Sequence, residues 1–259
     1  MLNRKKKMVT FDEYYRKYLD LNQENPGQTV FAADRRSEPV AFFYLHYSIS
    51  TMINDKLIHS VSPELVQAFK KRIANLSSNS ISTDLVREID DAMFEILPLL
   101  SYTPTRMHRM TIDRLGQMER QENYSVSTLS EDSKPLLEKQ LSQRGSRFTE
   151  FCWKAREKAL QEGRYFGIIE NDEIAATAFI SDIDSGAGNL VVSTKPKYRK
   201  KGYGKAVVTR ATEWCIKNVI RPIYLVAVTN EPSVKLAEGL GFETKSEEIV
   251  VSGYIGTNV

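Results

Sequence analysis

A mixed α/β (α+β) protein is the fold class this sequence predicts. Segments rich in β-branched and aromatic residues alternate with segments whose apolar residues recur at helical spacing. Turn residues, such as Asn171-Asp172, stand between strand-like runs of similar length. The 259 residues, 41% hydrophobic and 27% charged, have room for one large domain or two ordinary ones.

The elements follow in chain order. Met1 to Met8 carries Arg4, Lys5, Lys6 and Lys7 and reads as a frayed, solvated terminus. A secretory signal would need an apolar stretch next, and Phe11-Asp12-Glu13-Tyr14-Tyr15-Arg16 follows instead. Phe11 to Leu21 has helical spacing. Thr29 to Ala33 and Val40 to Ser48 read as strands, and the polar Asp34 to Pro39 between them suggests a hairpin. Lys56 to Val61 is a further short strand. Pro63 suits the first turn of a helix that Ser62 caps and that runs to Ala74. A Ser/Asn-rich loop separates it from a helix opened by Thr83 or Asp84, with Leu85, Ile89, Met93 and Ile96 on one stripe and Pro98 at its end. Arg106 to Arg120 is read as helical. The polar Gln117 to Asn123 marks a boundary between domains at 1–119 and 120–259.

The second region is sharper. Tyr124 to Leu129 alternates as a strand, Ser130 caps a helix, and Phe148 to Gln161 is another helix, ended by Gly163. Arg164 to Glu170 and Glu173 to Ser181 make a hairpin, and Gly188 to Thr194 is the next strand. Helix Lys205 to Asn218 buries Val208, Ala211, Cys215 and Val219. Strand Pro222 to Thr229, helix Ser233 to Leu240 and strand Phe242 to Val251 complete the chain.

Composition excludes several function classes. A net charge of +3 is too small to argue for a nucleic-acid partner. No apolar run reaches the roughly 18–20 residues that span a bilayer, so no membrane partner is expected and the location expected is cytoplasmic. Cys152 and Cys215 lack the spacing of a zinc site or a disulfide framework, and no metal is expected. His46, His59 and His108 read as packed or exposed, and Trp153 and Trp214 as core.

The informative segment is Leu190-Val191-Val192-Ser193-Thr194-Lys195-Pro196-Lys197-Tyr198-Arg199-Lys200-Lys201-Gly202-Tyr203-Gly204-Lys205. A strand runs into a basic glycine loop that opens a helix. The first amides of a helix have no partner within it, and they share the positive end of the macrodipole. A phosphate there accepts several hydrogen bonds. Gly202 and Gly204 let the backbone come close. The mononucleotide P-loop pattern is absent, because Ala206 follows Lys205, and the dinucleotide pattern is absent, because Val207 stands at its third glycine.

Arg199-x-x-Gly202-x-Gly204 resembles the pyrophosphate motif of GNAT-type N-acetyltransferases. Thr194, Pro196 and Tyr198 match the family's approach to that loop, and Asn230, Ser233, Leu236, Gly241 and Phe242 match its downstream segment. The resemblance implies a mixed, mostly antiparallel GNAT sheet flanked by helices over residues 120–259, behind an N-terminal mixed α/β domain. It implies acetyl-coenzyme A (acetyl-CoA) as cosubstrate, held by Val191, Val192, Arg199, Lys200, Lys201, Gly202, Tyr203, Gly204, Lys205, Asn230 and Ser233. In the family two strands splay and the acyl-pantetheine lies in the gap, which maps to Leu190–Ser193 and Tyr224–Thr229. A strand amide at Val191 or Val192 would polarise the thioester carbonyl.

Expected activity is acetyl transfer to a primary amine of a small molecule, a metabolite or an antibiotic. Acceptors in a protein, or a non-catalytic acyl-CoA-sensing module with a protein-binding N-terminal domain, are the other readings, and a homodimer is open. Many GNAT enzymes protonate the leaving thiolate with a tyrosine where this chain has Ala237. Candidates for proton transfer are Glu170, Asp182 and Tyr224. The Ser233-x-x-Leu236-Ala237-Glu238 version resembles a two-part subgroup that includes zwittermicin A resistance acetyltransferases.

Overall fold

The computed structural model describes residues 7–21, 29–40, 44–74, 76–97, 102–113, 124–142, 153 and 156–254. Residues 4–6, Pro98, the polar boundary at 117–123 and Cys152 lie outside the described residues. The chain forms two compact units. The first holds Met1–Thr10, Met110–Tyr224 and Pro232–Glu243, and the second holds Phe11–Arg109, Leu225–Glu231 and Thr244–Val259.

The second unit contains helices α1 (Phe11–Tyr18), α2 (Val66–Ile73) and α3 (Thr83–Ile96). Its strands are β1 (Val30–Ala32), β2 (Tyr44–Ile53), β3 (Lys56–Val61), most of β4 (Tyr102–Thr111) and nearly all of β10 (Glu243–Tyr254). They lie in the order β1-β3-β2-β10-β4. β2 and β3 form the hairpin, with left-handed Asn54 and Asp55 at its turn, which suits an antiparallel two-residue connection. The expected hairpin between the runs at 29–33 and 40–48 is not formed. β1 instead pairs in parallel with β3, at Val30–His59, Phe31–Ser60 and Ala32–Val61. Ser62 does not cap α2: its hydroxyl bonds Glu64, and the helix starts at Val66. Ser82 does cap α3, accepting from the Leu85 amide at 3.1 Å. The predicted stripe of α3 is buried in a core with Phe69, Val61, Ile249 and Val251.

The largest correction is β4. Residues read as the start of a helix at Arg106 form a strand, because their partner is remote in sequence. Arg109, 2% exposed, clamps Glu248 of β10, 0% exposed, with Nε to Oε2 at 3.1 Å and Nη2 to Oε1 at 2.8 Å. Its Nη1 donates to Tyr14 at 2.7 Å, and Tyr15 donates to Glu248 at 2.6 Å. Both tyrosines sit on α1, so one buried ion pair joins helix and strands.

Burial also lowers His46 to about 3, aided by the charges of Arg36 and Arg109, and His59 to about 4. Both stay neutral in the fold but would take a proton in the unfolded chain below about 6.5. The unfolded state therefore binds more protons between about 4 and 6.5, and stability falls as pH drops through that window. His59 holds a 2.7 Å hydrogen bond with Ser50 through Nδ1, so His59→Asn can keep that bond without the titrating ring. We expect the urea midpoint to fall less steeply between pH 6.5 and pH 5 in His59→Asn than in the wild type. Identical slopes would show that His59 does not contribute.

The first unit contains β5 (Ser127–Thr128), α4 (Lys134–Ser142), helical residues 156–161 (α5), β6 (Tyr165–Glu170), β7 (Glu173–Asp184) and β8 (Ala187–Thr194). α6 (Tyr203–Lys217), the start of β9 (Arg221–Ala227) and most of α7 (Glu231–Glu238) follow. Strands lie in the order β9-β8-β7-β6-β5, antiparallel except for β8 with β9. The β6–β7 turn is the expected one, with Asn171 and Asp172 both left-handed. Gly163, at φ 64°, ends α5 as expected. α6 lies against β6, β7 and β8 and buries Val208, Ala211 and Cys215, whereas Val219 falls beyond its end. Among the described residues no helix is long and apolar enough to cross a membrane.

Candidate functional site

The loop between β8 and α6 is built by local sequence. Pro196 opens a short 3-10 turn that ends at Tyr198, whose buried ring fixes the approach. Arg199 is extended, Lys200 is left-handed at φ 61°, and Gly202 is left-handed at φ 82°. Gly202 is the N-cap of α6 and has no side chain to cap it. The first bond within the helix runs from the Ala206 amide to the Gly202 carbonyl at 3.0 Å. The amides of Tyr203, Gly204 and Lys205 thus have no partner inside the helix and point out of its positive end.

Packing holds this helix start in place. A Cβ on Gly204 would stand 2.9 Å from Leu236 Cδ1 and 3.2 Å from Thr194 Oγ1, so glycine lets α6 sit close to β8 and α7. Tyr203 donates to Glu170 Oε2 at 2.6 Å, and that carboxylate pushes its phenol up to about 12. Tyr124 stacks edge-on against Tyr203 at 5.0 Å and donates to the Lys201 carbonyl. Tyr198 donates to Glu173 Oε1 at 2.6 Å.

Charge at the loop is divided. Lys195 pairs with Glu173 at 2.8 Å, and Lys197 pairs with the same carboxylate. Hydrogen bonds from Lys195, Lys197 and Tyr198 hold the Glu173 carboxyl down at about 2. Arg199, Lys200 and Lys201 are exposed, and Lys205 is half-buried.

From the loop, β8 runs back towards a fork. Its ladder with β9 covers Ala187–Arg221, Gly188–Pro222 and Asn189–Ile223 and then stops. Among the described residues, Leu190 to Thr194, including Val191 and Val192, pair with β7 alone, so the other edge of β8 has no strand partner. Tyr224 is the first β9 residue past the fork. It is 3% exposed, stands against Phe242 and shares a 2.7 Å hydrogen bond with Ser233 of α7. Asp182 is exposed in the β7 irregularity between Ile180 and Ile183, which lies across from Asn189. Glu170 lies at the opposite end of β7, beside the loop. The structure therefore separates Glu170 from Asp182 and Tyr224. Asn230 is exposed just before α7. Ala237 is fully buried on α7. Among the described residues no group of histidines, cysteines or carboxylates could hold a metal ion.

The sequence matches the GNAT acetyltransferase family over residues 27–250, well beyond half of the chain. The chain belongs to the GNAT acetyltransferase family. A GCN5-related N-acetyltransferase from Sphaerobacter thermophilus has the same fold at a TM-score of 0.50 and 16% identity, over 69% of this chain and 58% of that one. A GNAT-family acetyltransferase from Colwellia psychrerythraea aligns over 81% of each chain at 13% identity and a TM-score of 0.49. No curated protein matches by sequence.

Family and fold support acyl transfer as the class of reaction. Within this GNAT chain, sequence reasoning singled out the loop but missed what anchors it. Glu173 and Tyr124 had no signal of their own, because their partners are remote: Tyr198 lies 25 residues from Glu173, and Lys201 lies 77 from Tyr124. Glu170 drew notice as a carboxylate near the loop, and its hydrogen bond to Tyr203 gives it a structural task there.

Proposed function

We propose that this GNAT chain moves an acetyl group from acetyl-CoA to a primary amine of a small molecule. The observation that carries the reading is the uncapped start of α6, where the amides of Tyr203, Gly204 and Lys205 have no partner within the helix. This start suits a diphosphate: Gly202 has no side chain to cap it, and the exposed Arg199, Lys200 and Lys201 add charge. Acetyl-CoA supplies the activated acetyl group. The open edge of β8 at Val191 and Val192 would receive the acyl arm and offer an amide to its carbonyl. Ser233 would line the same arm.

For the base we propose Asp182. Glu170 is occupied by Tyr203 at the wrong end of β7, whereas Asp182 lies across from the fork. Asp182 would accept a proton from the amine as it attacks, directly or through water. Thiol release from acetyl-CoA with a panel of amines tests the activity. We expect Asp182→Asn to lower kcat by about 10²-fold with unchanged cofactor affinity, the low end for general base catalysis. Wild-type turnover in that variant would remove Asp182 from the mechanism.

The buried Ala237 favours a second reading, in which the chain binds acyl-CoA without turnover. Binding of acetyl-CoA with no thiol release for any amine would select that reading.

A further inference from the structure

The thiol that leaves in acyl transfer needs a proton, and Ala237, fully buried on α7, has no hydroxyl to give it. The tyrosines near the cofactor loop are engaged there. Tyr124 donates to Lys201, Tyr198 to Glu173 and Tyr203 to Glu170. Thr194, next to the loop, and Leu190, at the fork, lie about 13 Å apart along β8 at roughly 3.3 Å per residue. These phenols thus sit at the phosphate end, away from the fork.

At the fork stands a hydroxyl pair. Ser233 precedes Ala237 by one helical turn and shares its face of α7. Its Oγ lies 2.7 Å from the Tyr224 hydroxyl, and it remains partly exposed while Tyr224 is buried. We propose that Ser233 and Tyr224 together return the proton to the leaving thiol. The inference rests on the acetyltransferase reading above. Ser233 O–H donates to the sulfur as the carbon–sulfur bond breaks. Tyr224 O–H donates to the Ser233 oxygen in the same step. The proton that the amine loses on forming its amide bond passes to Asp182 and solvent, and solvent restores the phenol. One proton leaves nitrogen and one reaches sulfur, so the balance closes. Burial raises the Tyr224 pKa, so the phenol rests protonated. Ser233 would be the catalytic residue, and Tyr224 would act through it.

The test uses the full chain with acetyl-CoA and a panel of primary amines comprising a polyamine, an aminosugar and an amino-acid amide. Ser233→Ala and Tyr224→Phe should each lower kcat by about 10²-fold with little change in the KM for acetyl-CoA, and the double variant should be no worse than either. Ser233→Thr, which keeps the hydroxyl, should retain most of the rate. A binding readout stands beside these rates. The wild type should hold free CoA more tightly than desulfo-CoA, and Ser233→Ala should erase that difference. Wild-type rates in both single variants, or equal affinity of the wild type for the two ligands, would overturn the relay alone. A wild type that binds no acetyl-CoA, or binds it without releasing thiol, would overturn the parent reading and the relay with it.

Discussion

Aspartate at Gly204 is expected to abolish acetyl-CoA binding while leaving the fold intact. The residue is the second of α6, so its side chain would bring a carboxylate to the amides that the diphosphate needs. Like unit charges about 4 Å apart repel by ~4 kcal/mol at an effective dielectric of 20. That corresponds to about 10³-fold in affinity. Crowding adds to this, since the new Cβ would press on Leu236 Cδ1 and Thr194 Oγ1. The leucine end can swing aside, so the packing cost falls mainly on local geometry and the helix should persist. Gly202→Asp should act in the same direction and also strain a residue held at φ 82°. Lys217→Gln, at the far end of α6, makes the same change in net charge and should leave binding alone. Isothermal titration with acetyl-CoA, with thermal melting to check folding, gives the answer. A folded Gly204→Asp protein with wild-type affinity would show that the phosphates go elsewhere.

Arg109→Ala is expected to cost about 3–5 kcal/mol of stability, the usual loss when one partner of a buried pair is removed. Glu248 would be left fully buried without its guanidinium, although Tyr15 would still donate to it. Exchanging the pair for apolar residues, Arg109→Met with Glu248→Leu, should recover most of the loss. The attraction between buried charges is largely offset by the cost of taking them out of water. Urea unfolding of the two single variants and the double variant separates the terms. A single-variant loss under about 1 kcal/mol would mean that water reaches the pair and screens it.

What could be read from the sequence follows from the range of the interactions. The loop at 199–205 was legible because its parts are adjacent in the chain. A proline, a tyrosine and two glycines mark a turn and an uncapped helix start within a few residues of one another. The Asn171-Asp172 turn and the stripe on α3 were legible for the same reason. β4 was not, because the carboxylate that makes Arg109 a strand residue is 139 residues away. β1 was misread because nearness in sequence suggested pairing with the next run, whereas its partner is β3. At the site, Glu170 and Asp182 looked alike as carboxylates near the loop. The length of β7 separates them, and a strand's length carries no warning about which end a neighbour will use.

The Arg109–Glu248 clamp also bears on how the chain is made. At roughly 5–20 residues per second, the codon for Glu248 is translated some 7–28 s after that for Arg109. Throughout that interval the nascent chain carries a guanidinium whose counter-charge has not been synthesised. β2 likewise waits for β10, the strand it finally meets through Glu248 and its neighbours. The half of the molecule that leaves the ribosome first therefore cannot close first, and it has to remain soluble until the tail arrives.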